Sequence, residues 1–119
     1  AGVDLNNGAT SWATYSDERL KYDVENIDNA VETLSGLRTV KYRLKNIDEP
    51  DAKKKIGVIA QDLEGKLDEV IDTLKMRNDD TEYMSVRYTE LVPVLIKAIQ
   101  EQQETISSLE ERISALENI

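Results

Sequence analysis

The chain has 119 residues, 24 acidic against 15 basic side chains for a formal charge of −9, and no Cys, His or Phe. The acidic balance argues against a phosphate-neutralising nucleic-acid surface. Without Cys or His, the usual structural zinc sites, haem ligation and Cys–His or Ser–His–Asp catalysis are excluded, so covalent chemistry falls to Ser, Thr, Lys, Tyr or a carboxylate.

No stretch approaches the roughly 20 apolar residues of a membrane span, and the start of the chain lacks the basic and apolar regions of a signal peptide. The absence of Cys leaves the redox compartment open. With 39% apolar and 33% charged residues, one small domain with a thin core is expected, and such domains are often completed by association.

Residues 1–15 contain Asn6-Asn7-Gly8 and no helical period, and read as extended or loop, the end of something longer upstream. From Asp23 the text becomes helical: Ile27, Ala30, Val31 and Leu34 follow i, i+3, i+4, i+7, with Gly36 past the end. Val40 to Leu44 alternates apolar and basic, a half-buried strand. Asn46 to Lys55, with Pro50, reads as a solvated loop. Ile56-Gly57-Val58-Ile59-Ala60 is an apolar run expected to form a buried strand, and Gln61 to Leu67 a helical turn or two ending around Gly65. Val70–Met76 and Tyr83–Tyr88 flank Arg77-Asn78-Asp79-Asp80-Thr81 as the arms of a hairpin. The class is α+β.

The last third carries the clearest pattern. Val92, Leu95, Ile99, Gln102, Ile106, Leu109, Ile113 and Leu116 alternate steps of three and four, an a/d series in which only Gln102 is polar. A single helix cannot bury so narrow a stripe, so partner helices are required. With Ile99 at a, Arg112 falls at g and Glu117 at e, the positions that meet between parallel chains. Such exposed pairs contribute only about 0–1 kcal/mol. No second heptad stretch exists for an antiparallel hairpin within the chain, which favours self-association. Ile at a with Leu at d favours dimers, whereas Gln102 at d is compatible with higher states. Pro93 is expected near the start of the helix, marking the handover from globular part to coil.

Ser16-Asp17-Glu18-Arg19-Leu20-Lys21 lies where the loop-like N-terminal segment meets the first helix. Taken alone it is a helix start, with Ser16 as N-cap and Asp17 and Glu18 at the positive end of the dipole. However, Ser-Asp-x-Arg-Leu-Lys resembles the opening of the C-terminal intramolecular chaperone domain of phage tailspikes and tail fibres, the endosialidase type. The same self-cleaving module occurs in membrane-bound myelin regulatory factors. Further blocks follow in the family's order: Asn26-Ile27, Val40-Lys41-Tyr42, the run from Ile56 to Glu64, Val86 to Leu91, and Leu95 to Glu101. The similarity covers residues 12–119.

The resemblance implies a small globular α/β head followed by a long helix in a parallel trimeric coiled coil. Residues 1–15 would be the end of an upstream fibre or spike with the cleavage segment, 16–91 the globular chaperone and autoprotease, and 92–119 the coil. It further implies a homotrimer that assists folding of the upstream region of its own chain and then cuts itself off at Tyr15–Ser16. Ser16 would be the nucleophile and Lys21 the general base, without cofactor, metal, nucleic acid or membrane. Leu95, Ile99, Gln102, Ile106, Leu109, Ile113 and Leu116 would form the trimer seam. The precursor would be made in the bacterial host cytoplasm, and the released fragment would be absent from the mature virion. The competing reading is a non-catalytic trimerisation or receptor-binding tip.

A Ser–Lys pair is an established alternative to the triad. A free lysine with pKa ~10.4 must be lowered to roughly 7–8 to accept a proton near neutral pH, which takes burial or cationic neighbours. Arg19 could help, whereas Asp17, Glu18 and Asp23 oppose. The hexapeptide therefore cannot be the whole site, and the folded domain or a neighbouring chain is expected to complete it. Elsewhere, Asp48, Glu49 and Asp51 lack the calcium-loop pattern and Lys53-Lys54-Lys55 reads as solvated loop. Trp12 and Tyr15 are expected as packing anchors, and Gly57 as a site of close backbone approach.

Overall fold

A computed structural model describes residues 3–4, 13–45 and 52–119. Trp12, Asn6-Asn7-Gly8, Pro50 and the Asp48–Glu49–Asp51 cluster lie outside the described residues. The elements in order are β1 (Val3–Asp4), β2 (Ala13–Thr14), a 3₁₀ turn (Glu18–Leu20), α1 (Ala30–Ser35), β3 (Thr39–Tyr42), β4 (Lys55–Val58), 3₁₀ turns at Ala60–Leu63 and Asp68–Val70, β5 (Ile71–Lys75), β6 (Glu82–Val86) and α2 (Tyr88–Glu117). This is an α+β arrangement of three two-stranded antiparallel sheets, β1–β2, β3–β4 and β5–β6, with one long C-terminal helix.

The first helix is shorter than its apolar period suggested. Asp23 and Asn29 adopt positive φ, 51° and 56°, left-handed conformations that a right-handed helix cannot run through. The helix therefore begins at Ala30. The face that this period predicts is the one that packs: Ile27, Ala30, Val31 and Leu34 lie in one cluster with Val94 and Ala98 of α2. Asn29 supplies no side-chain cap. Glu101 supplies it from α2, its carboxylate accepting from the backbone N–H of Ala30 at 3.2 Å and Val31 at 2.8 Å. Two of the donors every helix leaves unpaired are thus satisfied from across the core.

The run Ile56–Ala60 is not the buried strand expected of it. β4 covers Lys55–Val58 and pairs only with β3, in the register Thr39↔Val58 to Tyr42↔Lys55. Ile56 is 78% exposed, and within β4 only Gly57 is buried. The glycine is required by a close approach: a Cβ there would lie 2.7 Å from Tyr88 Oη and 3.1 Å from Tyr42 Cε1. Tyr88 Oη sits so near because it accepts a hydrogen bond from Val58 N–H at 3.0 Å, tying the start of α2 to β4. The β5–β6 hairpin forms as expected. Asn78 takes positive φ in its turn, and Asp79 accepts from Thr81 N–H and Tyr83 Oη.

Two small clusters make up the core. The first is the α1–α2 contact; the second joins Leu63, Val70 and Leu91, with Leu37, Ile71 and Val86 against it, and Leu67 touches both. Arg38 clamps Asp62 through its backbone N–H and both arms of its guanidinium, at 2.9 to 3.1 Å, fixing the turn Ala60–Leu63 to the entry of β3.

Helix α2 runs through Pro93 without a break. Pro93 is its sixth residue, past the first turn, so the proline removes the rung to the Thr89 carbonyl. Leu91, Val94 and Ala98 are buried, and with Glu101 they form a row spaced three, four, three. This row lies one residue, or about 100°, from the a/d series. On that second row Val92, Leu95, Ile99, Ile106, Leu109, Ile113 and Leu116 are all 47–69% exposed. The chain's accessible surface is 10658 Å², against roughly 6500 Å² for a compact monomer of its mass.

Two outcomes follow from this packing. Leu63 is fully buried, so Leu63→Ala should destabilise by about 2–5 kcal/mol, read by urea unfolding at fixed protein concentration. Glu101 has its carboxyl held below the ordinary 4.5, first by the Val31 N–H, with further lowering by the Ala30 N–H and Lys97. Its stabilisation is full above the unfolded value and lost as pH falls through the folded one. Glu101→Gln should therefore lower the melting temperature at pH 7, and its gap from wild type should narrow as pH falls below the ordinary carboxylate value and close below the folded one. A gap independent of pH would show that the carboxylate charge is not what caps α1.

Candidate functional site

Ser16 and Lys21 are five residues apart, a distance of roughly 17 Å along an extended chain at ~3.3–3.6 Å per residue. The 3₁₀ turn Glu18–Leu20 folds this interval back. Leu20 N–H bonds to the Asp17 carbonyl at 3.0 Å and Lys21 N–H to the Glu18 carbonyl at 3.1 Å. The result brings Lys21 Nζ to 2.8 Å from Ser16 Oγ, the ammonium donating. That separation lies within the range over which a base can take a hydroxyl proton.

The cap of this turn is Asp17, not Ser16. Its Oδ1 accepts from Arg19 N–H at 2.9 Å, and the same carboxylate receives Arg19 Nε at 3.2 Å and a terminal guanidinium nitrogen at 2.8 Å. Both residues satisfy cap chemistry equally on paper. Because Asp17 takes the backbone donor, the Ser16 hydroxyl is left to Lys21. The Asp17 carboxyl is held below its ordinary value by the Arg19 side chain and then the Arg19 backbone N–H, and Arg19 is raised by the same contact. Arg19 is thus paired with Asp17 and is not the free cationic neighbour of Lys21 that the sequence allowed.

The whole turn buries no residue. Ser16 and Lys21 are exposed, as are Tyr15 at 63%, Leu20 at 69%, Tyr22 at 88% and Val24 at 72%. Leu20, Tyr22 and Val24 are thus uncovered apolar side chains close in sequence to the pair. Tyr15, expected as a packing anchor, is largely exposed. Just upstream, β1 and β2 pair Val3 with Thr14 and Asp4 with Ala13, ending one residue before Tyr15. The seam positions Leu95, Ile99, Gln102, Ile106, Leu109, Ile113 and Leu116 are likewise exposed, on a face separate from the one that holds α1. Lys53, Lys54 and Lys55 are exposed at the entry to β4.

Two features escaped the sequence reading. The Asp17–Arg19 clamp was hidden because Ser and Asp are adjacent and both cap helices. The buried row of α2 was overlooked because Leu91, Val94 and Ala98 end in a charged residue, Glu101, which in the fold faces the α1 backbone.

Residues 16–72 match a peptidase family described as chaperone of endosialidase, and the match begins at Ser16 itself. The chain is also 36% identical over 97 residues to the long tail fiber protein Gp37 of Enterobacteria phage M1, and equally to that of Enterobacteria phage Ox2. These alignments take in 79% of the chain and 38% of each relative, so the chain spans little more than a third of those fibre proteins.

Proposed function

Residues 16–72 belong to the chaperone-of-endosialidase family, and from this membership we propose an intramolecular chaperone that serves a phage fibre and frees itself by autoproteolysis at Tyr15–Ser16. The observation that carries the reading is the 2.8 Å contact of Lys21 Nζ with Ser16 Oγ at the first residue of the family match. The client is the fibre region upstream in the same chain, by likeness to the long tail fiber proteins. The working unit is a homotrimer joined along the a/d row of α2. The exposed row and the surface in excess of a compact monomer support association.

The chemistry is as follows. Lys21, once neutral, takes the Ser16 hydroxyl proton as Oγ attacks the Tyr15 carbonyl carbon. The ammonium then returns that proton to the Ser16 nitrogen as the C–N bond breaks, leaving Tyr15 esterified to Oγ with a free α-amine. Water hydrolyses the ester, releasing a Tyr15 carboxylate and Ser16. An equivalent attack by Ser16 of a neighbouring copy gives the same products. In either route Lys21 works only when it is desolvated, and the single chain leaves it exposed. Copies packing over Leu20, Tyr22 and Val24 would remove that water. Cleavage would then report correct assembly, so that the chaperone is not lost early.

Intact mass and N-terminal sequencing of the chain carrying its upstream region provide the test. Wild-type protein should yield a fragment beginning at Ser16, and Ser16→Ala and Lys21→Ala should remain whole while sedimenting as wild type. If all three stay uncut, the protein is a non-catalytic trimerisation or receptor-binding tip.

Assembly dependence has its own check. Ile106→Asp places a charge on the seam and should give monomer by sedimentation, with cleavage abolished. Unimpaired cutting by a stable monomer would sink the link between assembly and chemistry.

A further inference from the structure

We propose that Asp17 is a positioning residue for the Ser16–Lys21 pair, acting through its cap on the turn Glu18–Leu20; this rests on the autoproteolysis reading above. An isolated 3₁₀ turn of three residues is a weak structure, and this one is held by no buried side chain. What holds it is local: the two backbone bonds from Leu20 and Lys21, and the Asp17 carboxylate on Arg19 N–H. If the turn opens, the roughly 17 Å reach between residues five apart separates Lys21 from Ser16.

Asp17 has a second effect. It occupies the backbone donor that Ser16, one residue earlier, is chemically able to take. Without Asp17 the nearest capping hydroxyl is the nucleophile itself, and a Ser16 Oγ engaged with a backbone N–H is withdrawn from Lys21. The Asp17–Arg19 ion pair adds little, since both partners are solvent-exposed, with side chains 44% and 88% accessible, and such pairs are weak. The cap, rather than the charge, therefore positions the pair.

The conservative variant separates these roles, because Asn caps as well as Asp but forms no ion pair. The cleavage rate of the chain is followed by mass spectrometry at pH 7.5, alongside melting temperature and sedimentation. Asp17→Ala should cut about fivefold more slowly than wild type, as expected for loss of a cap. Asp17→Asn and Arg19→Ala should stay within about twofold, and all three should melt and assemble as wild type, since the turn buries nothing. Asp17→Ala cutting at the wild-type rate would overturn the proposal. So would equal slowing in Asp17→Asn and Arg19→Ala, which assigns the effect to the ion pair, or a fall in melting temperature or assembly that parallels the rate. Failure of wild type itself to cut is a different result: it removes the autoproteolysis reading, and the positioning role with it.

Discussion

Helix α2 has to satisfy two sets of apolar contacts from one axis. Leu91, Val94 and Ala98 close the small head, while the a/d row stays open along the full length. No other described element is long enough to serve both. The two short hairpins bury little on their own, as paired strands of four or five residues do. They are tied to α2 near its first turn, through Tyr88 Oη on Val58 N–H, Arg87 on Asp72 and Leu91 against Leu63 and Val70. The head is a set of local pieces hung on one helix end.

The candidate site follows a different logic. Its distances are fixed within six residues, by a turn that owes nothing to the core, whereas Lys21 is exposed and so lacks the desolvation that the proposed chemistry requires. In the proposed mechanism this division keeps the pair poised but idle until other copies cover it. A site buried inside one chain would have no such dependence, because folding of the monomer alone would complete it.

Most elements were legible in the sequence because their patterns are short-range. The alternation of Val40-Lys41-Tyr42, the Asn-Asp turn between β5 and β6, and the heptads each carry their own signal. Three things were not legible. The late start of the first helix, at Ala30 rather than near Asp23, comes from left-handed Asp23 and Asn29, and both residue types are common in ordinary helix starts. The exposure of Ile56 was unreadable because an apolar run is the same text whether covered on two faces or one. Glu101 as the cap of α1 lies 70 residues from its partner Val31, and no local pattern reports a contact of that range. In the site, Ser16 and Lys21 were singled out by family resemblance and lie 2.8 Å apart in the structure, while Asp17 as the cap of the turn needed coordinates.

The two rows of α2 also set a phase relation. Glu101 caps α1 of the head, and Ile106 lies further along the helix on the a/d row. Inserting or deleting one residue between them would leave both contact surfaces chemically intact yet turn one against the other by about 100°. Four residues bring the rows back to within about 40° of their original alignment, and seven to within about 20°. The spacing between Glu101 and Ile106 is thus constrained as a length, and it sets the angle at which the head stands off any helix seated on the a/d row.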